Sequence, residues 1–277
     1  MVPAPGVSAP PVLSNIEASA LSYTENAPAT AITATLTVAD LDDTNIESAA
    51  ISITSNFATG QDVLAFTNQN GITGTYNSGT GILTLTGSAT KANYQTAIQS
   101  VTYQNTSDDP SIGVRTVGFK VNDGDIDSVT ISRNIAIAAV NDTPVITPVD
   151  DEGAVTEDTN LLNLSDTGSV TFADVDVTNA LSSSVVLMST STTGPAIPSA
   201  LSLALASSLA LIQPGTNNGS IAWTFTLANS LTQYLAASET VAAIYTLILY
   251  EKADSSDERF DEGNSKGETR SKGLLDK

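Results

Sequence analysis

The stretch that divides this sequence is Ala139-Val140-Asn141-Asp142-Thr143-Pro144-Val145-Ile146, near the middle of the chain. Before it, Glu25 is followed by Asp40-Leu41-Asp42, and after it Glu157 is followed by Asp174-Val175-Asp176. On both sides, short β-branched runs alternate with Gly, Asn, Asp and Pro, a pattern typical of all-β proteins. A motif order that repeats at domain length predicts two tandem immunoglobulin-like β-sandwiches, each with one short helix.

The charge of the chain is strongly acidic and unevenly distributed. The net charge is −20, and residues 1–250 hold 22 Asp and Glu against four cations, Lys91, Arg115, Lys120 and Arg133. Such a surface repels nucleic acid and anionic membranes and suits a hard cation, although acidity alone serves solubility equally well. The chain has no Cys and no His. Disulfides, a thiol nucleophile, an imidazole base and a typical zinc or copper site are therefore excluded.

Changes of composition set the expected domain boundaries. The first residues are rich in Pro and Ala, and residues 251–277 hold six of the ten cations together with eight acids. Such a charged, apolar-poor end predicts disorder, which would leave the second module without its last hairpin and strand. We expect a linker at 1–11, a first sandwich at 12–145, a linker at 146–152, a second, truncated sandwich at 153–250, and a disordered tail at 251–277. No signal peptide or membrane span is recognised, so an extracellular protein would be longer than this chain.

The order of the strands predicts where the acidic side chains gather. If Ala31–Val38 is strand B and Val114–Val121 is strand F of a sandwich, the loops that follow both strands lie at one end. The closing strand, Val129–Ala139, runs to the opposite end and brings the dividing stretch there. Paired carboxylates on loops suit calcium, which takes about 6–8 oxygen ligands. The predicted inter-module calcium ligands are Glu25, Asp108 or Asp109, Asn141, Asp142, Asp174 and Asp176. A second set, Asp40, Asp42, Asp123 and Asp125, lies at the N-terminal end of the first module, with Asp43 and Asp127 nearby.

Other chemistries fit the sequence less well. A lone Asp-x-Asp is more often a solvated turn, and Asp123-Gly124-Asp125 is typical of a hairpin. An EF-hand starting at Asp123 would need Gly and Glu where Ser128 and Asn134 stand. A glycosidase would need an aromatic groove, but the only tryptophan, Trp223, is predicted to be a core residue.

The first module resembles the cadherin-like repeats of large bacterial surface proteins, and the second resembles a VCBS repeat, as in RTX-type adhesins. The first resemblance is carried by Ser22-Tyr23-Thr24-Glu25-Asn26, Ala39-Asp40-Leu41-Asp42, Val101-Thr102-Tyr103-Gln104-Asn105, Phe119-Lys120-Val121-Asn122-Asp123-Gly124 and Val140-Asn141-Asp142-Thr143-Pro144-Val145. The second is carried by Val155-Thr156-Glu157-Asp158, Phe172-Ala173-Asp174-Val175-Asp176, Trp223-Thr224-Phe225 and Gln233-Tyr234-Leu235-Ala236-Ala237-Ser238-Glu239-Thr240. The resemblance implies calcium bound between modules by Glu25, Asn141, Asp142, Asp174 and Asp176.

Together these patterns predict a non-enzymatic, calcium-binding structural extender or adhesion module of a bacterial secreted or cell-surface protein. The alternative is an accessory glycan-binding module of a secreted enzyme. Expected partners are calcium, neighbouring repeats of the same polypeptide, and a cell-surface receptor or glycan. Neither nucleic-acid binding nor membrane insertion is expected.

Overall fold

A computed structural model of the chain describes residues 8–176, 180–212, 218–252 and 266–276. The chain divides into two compact units, Met1–Val140 and Asn141–Lys277. Both units consist mainly of β-strands in several sheets, with few short helices. The predicted all-β class with tandem sandwich domains is therefore confirmed. None of the described helices has the length and apolar character needed to cross a membrane.

Unit 1 is a sandwich whose main sheet has six strands. Its elements are β1 (Val12–Ser14), β2 (Leu21–Thr24), β3 (Thr30–Ala31), β4 (Thr37–Ala39), β5 (Asn45–Ser55), β6 (Asp62–Ala65), β7 (Thr73–Asn77), β8 (Ile82–Thr90), α1 (Lys91–Gln99), β9 (Thr102–Asn105), β10 (Arg115–Asn122) and β11 (Ile131–Ala138). The main sheet has the order β2-β11-β10-β5-β8-β7, beside a three-stranded sheet β3-β9-β6 and the pair β1-β4. Only β2 and β11 pair in parallel in the main sheet.

The core of unit 1 follows from the alternation along its long strands. In β5, Ala49, Ile51 and Ile53 are buried at every second position. In the facing register, Ile51 lies opposite Phe119 of β10, which is also fully buried. Burying one such side chain stabilises the fold by about 1.5–3 kcal/mol. The period of two thus fixes which face of the sheet lies against the core.

The predicted strand Ala31–Val38 is divided in the structure. Residues 32–36 leave the strand conformation, although Ile32 and Leu36 are fully buried. The Thr33 hydroxyl accepts a 3.2 Å hydrogen bond from Leu36 N–H and donates a 2.7 Å bond to Glu17. Local side-chain bonds of this kind offer the backbone an alternative to the sheet ladder, and the alternation of apolar residues does not reveal them.

The predicted short helix of unit 1 is α1, and a side chain caps its N-terminus. The Thr90 side chain accepts a hydrogen bond from Asn93 N–H, and α1 buries Tyr94, Ala97 and Ile98. Unit 2 contains a 3₁₀ helix at Asn229–Leu231. The α-helix of that unit lies earlier, where the apolar residues Leu201 and Leu205 are buried.

Unit 2 has two four-stranded sheets. Its elements are β12 (Val145–Asp150), β13 (Glu152–Thr156), β14 (Asn163–Ala173), β15 (Ala180–Thr192), α2 (Ser199–Leu205), β16 (Leu209–Leu211), β17 (Asn218–Ala228), β18 (Thr240–Lys252) and β19 (Lys266–Asp276). The sheets have the orders β12-β14-β17-β16 and β13-β19-β18-β15. Residues 146–152, expected as a linker, instead belong largely to β12 and β13 because Val145-Ile146-Thr147 pairs with β14.

Strand β19 lies where the sequence predicts a disordered tail. It pairs in parallel with β13 and antiparallel with β18, as β11 pairs with β2 and β10 in unit 1. The last strand that the truncated second module was expected to lack is therefore present. The charged composition of the segment did not indicate a strand, because β19 forms by pairing with distant strands and not by local apolar alternation. The rest of the predicted tail, residues 253–265 and 277, lies outside the described residues.

Trp223 is a core residue of unit 2, as predicted, with 5% of its surface exposed. Its indole Nε1 donates a 2.7 Å hydrogen bond to the carbonyl of Asp150. A Cβ at Gly168 would lie 2.3 Å from the indole ring, so only glycine allows this close approach. The ring therefore reports on packing between β12, β14 and β17.

Deleting residues 266–277 is expected to destabilise unit 2 selectively. The deletion leaves β13 and β18 without the strand between them, and unpaired edges favour unfolding and association. Trp223 fluorescence should shift to the red at a lower denaturant concentration than in the full chain. Circular dichroism should retain a separate transition from unit 1, which contains no tryptophan. An unchanged Trp223 transition would contradict the role of β19.

Candidate metal centre

An acidic turn follows β4 in unit 1. Carboxylate oxygens of Asp40, Asp42 and Asp43 lie within 4.8 Å of one another. One oxygen of Asp40, Oδ1, accepts hydrogen bonds from the backbone N–H groups of Asp42 at 3.0 Å and Asp43 at 2.9 Å. The Lys91 ammonium, at the start of α1, donates to the carbonyls of Asp40 and Asp43. The backbone is thus held in a shape that keeps three carboxylates together.

Asp123, in the loop after β10, is a further buried carboxylate close enough to Asp43 to repel it, although it lies outside the 4.8 Å group. Its Oδ1 accepts hydrogen bonds from the N–H groups of Asp125 at 2.8 Å and Ile126 at 2.7 Å, and only 8% of the residue is exposed. Its Oδ2 is hidden from solvent and has no hydrogen-bond partner among the described residues, and the same holds for Asp40 Oδ2. Buried carboxylate oxygens without a donor are costly, and a divalent cation is one kind of partner that could offset that cost.

Asp43 is repelled by four neighbouring carboxylates. Desolvation, followed by repulsion from the carboxylates of Asp42, Asp123, Asp40 and Asp125, raises the pKa of Asp43 above its usual value of 3.8. Like charges favour protonation of one member of such a group, and a bound cation removes the same repulsion. The donors are oxygens only, on loops of irregular geometry, which suits calcium better than zinc or copper.

Unit 2 repeats the hydrogen bonds of this turn after β14. Asp174 Oδ1 accepts from Asp176 N–H at 3.0 Å, as Asp40 accepts from Asp42 in unit 1. Asp176 Oδ2 accepts a 2.6 Å bond from Asp142 N–H. The corresponding donor in unit 1 is Ala9, whose N–H lies 3.0 Å from Asp42 Oδ2. In both units, the segment before the first strand therefore donates a backbone hydrogen bond to the second Asp of an Asp-x-Asp turn.

The residues predicted at the other end of unit 1 are only partly brought together. Glu25 is buried, and its Oε2 accepts a 2.8 Å hydrogen bond from Val140 N–H. The Tyr23 hydroxyl donates to the Asn105 carbonyl at 3.3 Å, which places the following loop beside the end of β2. In that loop Asp108 is exposed and Asp109 half-buried.

Asn141, Asp142, Asp174 and Asp176 belong to unit 2. The Asn141 amide donates to the Asp142 carbonyl at 3.3 Å, and the side chains of Asp174 and Asp176 are buried. The predicted sharing of one calcium site by these residues with Glu25, Asp108 and Asp109 stays a prediction.

Two features of the acidic end of unit 1 were missed from sequence. Asp127, counted there with Asp123 and Asp125, is directed to Lys120 at 2.6 Å and Asn122 at 2.8 Å. Lys91 supports the acidic turn from α1, far away in sequence. Neither contact follows from spacing, because both depend on where separate loops and helices pack.

Asp62 is a further buried carboxylate, but the structure explains it without a ligand. The side chains of Asp62 and Arg115 are fully buried, and Arg115 Nε lies 3.1 Å from Asp62 Oδ2. Tyr103 and Asn105 donate to the other oxygen at 2.6 and 2.7 Å. Burial, and then the hydrogen bond to Asp62, raise the pKa of the Tyr103 hydroxyl. This network joins β6, β9 and β10 and is structural, as expected for a paired buried charge.

Comparisons with known proteins give limited similarities. No family model matches the chain. Halomucin of Haloquadratum walsbyi is 39% identical over 95 residues, which is 32% of this chain and 1% of the length of halomucin. The VCBS part of the resemblance therefore stays a prediction.

Similar solved structures are cadherin ectodomain fragments. Human mucin-like protocadherin EC1-2 is 12% identical with a TM-score of 0.39, covering 96% of this chain and 97% of its own. Protocadherin gamma B2 EC1-5 is 14% identical with a TM-score of 0.38, covering 97% of this chain and 40% of its own. Human desmocollin-1 is 12% identical with a TM-score of 0.30, covering 96% and 41%. Because these TM-scores are below 0.5, the fold is assigned from the strand pairing of this chain and not from these structures.

Replacing Asp43 with Asn is expected to stabilise unit 1 in the absence of metal. The substitution removes a carboxylate whose pKa is raised by desolvation and by its acidic neighbours. Because the folded state raises the pKa of Asp43, protonated Asp43 favours folding at low pH. This contribution to the free energy of unfolding is lost as the pH rises through the raised pKa. The advantage of Asp43→Asn should therefore be largest near pH 7 and fade in acid, as measured by thermal unfolding in chelator.

Asp127→Asn is the matched control for this prediction. Hydrogen bonds from Lys120 and Asn122 lower the pKa of Asp127, so its charge is favourable and its loss should bring no gain. Equal effects of the two substitutions would contradict mutual repulsion at Asp43.

Proposed function

We propose that the chain is a calcium-binding structural and adhesion module of an extracellular or bacterial cell-surface protein. The observation that carries the proposal is the pair of hidden, unpartnered oxygens, Asp40 Oδ2 and Asp123 Oδ2. Asp40 and Asp123 are among the four carboxylates that repel Asp43 in unit 1. A divalent cation would supply the charge and the coordination that these oxygens lack.

Calcium at this site would join two loops that lie at the same end of the β5–β10 pair, where Asn122 is opposite Ser48. One is the turn Asp40–Asp43 after β4, and the other is the loop Asp123–Ile126 after β10. Since Ala9 N–H is already bound to Asp42, the entering segment would be held at the same point. The ion would thereby make this end of the module rigid, which is the mechanical role expected of an extender.

The repeated turn of unit 2 supports a second calcium position in the same proposal. Asp142, Asp174 and Asp176 reproduce the hydrogen bonds of the turn in unit 1. We include Asn141, Glu25 and Asp108 or Asp109 as further ligands of that position, on the strength of the motif order in the sequence. Neighbouring repeats of the same polypeptide are then the natural partners.

Adhesion and surface location are supported by the kind of protein that the chain is similar to. The fold is mainly β with short helices, and the partial relative is named halomucin. A receptor or glycan would be a further partner. The alternative of a glycan-binding module needs an exposed aromatic platform, and none of the large exposed hydrophobic side chains in the described ranges is aromatic. We therefore favour the non-catalytic calcium module.

Calcium should stabilise unit 1 against unfolding. Extracellular modules bind calcium with a Kd of about 10⁻⁴–10⁻³ M. At about 10 mM calcium, linkage then raises the free energy of unfolding by about 1.4–2.7 kcal/mol. Thermal unfolding followed by circular dichroism, with calorimetric titration, measures both quantities against a chelator baseline.

Asp123→Asn should remove most of this stabilisation, because it removes the charge of the most buried ligand while keeping its size. The Asp127→Asn variant, changed in the same hairpin but outside the cluster, should respond to calcium like the unmodified chain. No calcium-dependent shift in the unmodified protein, or an equal shift in Asp123→Asn, would count against the site.

A further inference from the structure

The strand β15 leaves a long open sheet edge in unit 2. It ends the sheet β13-β19-β18-β15 and pairs only with β18 within the described residues. It has 13 residues. The other strands at sheet ends in the described ranges have two to six residues. Such an edge presents a row of backbone N–H and C=O groups that another strand can pair with.

The edge lacks most of the features, such as charged side chains and proline, that prevent an edge strand from pairing with another molecule. Its sequence, Ala-Leu-Ser-Ser-Ser-Val-Val-Leu-Met-Ser-Thr-Ser-Thr, contains no charge and no proline. The edge strand β12 of the other sheet carries Pro148 and Asp150 by contrast. One irregularity interrupts β15, between Leu187 and Ser189. The run from Ala180 to Leu187 keeps a regular register with β18.

The two faces of β15 differ as expected for a half-buried strand. Val185 and Leu187 pack against the core of unit 2. On the other face Ser182 is exposed, and Val186 and Met188 are 49% and 56% exposed. An added strand would cover these apolar side chains on the outer face while pairing the backbone at the edge.

We propose that β15 pairs antiparallel with β15 of a second copy of this chain. Elsewhere the net charge of −20 opposes self-association, but β15 offers a neutral seam where no like charges meet. Two-fold pairing about Ser184 places Ser182 opposite the partner's Val186, on the exposed face. The two four-stranded sheets then become one sheet across the dimer. This association uses no acidic residue and is independent of calcium.

The test is the oligomeric state of the whole chain in chelator. Sedimentation velocity and light scattering from about 10 µM to about 1 mM protein cover the range in which a small interface associates. The unmodified chain should shift from monomer to dimer. Ser182→Lys/Val186→Lys should stay monomeric, because each lysine then faces a lysine of the partner. Leu162→Lys, at an 89% exposed apolar residue outside the strands, should dimerise normally.

A charge-swapped variant tests the arrangement itself. Ser182→Lys/Val186→Glu places opposite charges across the two-fold pairing and should dimerise at least as well as the unmodified chain. Trp223 fluorescence confirms that each variant remains folded. A monomeric unmodified chain, dimerisation of the double-lysine variant, or loss of the dimer in the charge-swapped variant would overturn the proposal.

Discussion

The parallel pairing of an early strand with the last strand closes each unit, and the other features are arranged around it. In unit 1, Leu21–Thr24 pairs with Ile135–Ala138, and in unit 2, Glu152–Thr156 pairs with Lys272–Asp276. Each pairing joins opposite ends of its unit, so it forms only when the intervening strands are in place. It also brings Glu25 to Val140, which defines where unit 1 ends.

The acidic turns show how the fold holds charges that repel one another. Backbone N–H groups bind one oxygen of Asp40 and one of Asp123, so that neither carboxylate can turn away. The strands supply this geometry, and the repulsion is the energetic cost of keeping it. In unit 2, Asp174 and Asp176 repeat the pattern with the same spacing. The same turn therefore forms in two units whose sheets have different strand orders.

Local sequence patterns predicted the β-strands and the all-β class, whereas features that depend on long-range packing were not predicted. The expected strands Val114–Val121 and Val129–Ala139 correspond to β10 at Arg115–Asn122 and β11 at Ile131–Ala138, since alternation depends on neighbours in sequence. The expected continuous strand at 31–38 failed because the Thr33 hydroxyl stabilises a turn. Strand β19 was missed because its partners lie far away. For the site, residue types and loop positions were foreseeable, but the burial of Asp123 and the support from Lys91 were not.

The parallel closure has a consequence for a chain under tension. When two paired strands run in the same direction and the load enters one and leaves through the other, the force acts along the strands. The hydrogen bonds between Leu21–Thr24 and Ile135–Ala138 would then share the load and have to break together. An antiparallel hairpin pulled from its open end gives way one bond at a time. In each unit, a tensile load that passes from the early strand to the last strand would therefore be resisted by this pairing.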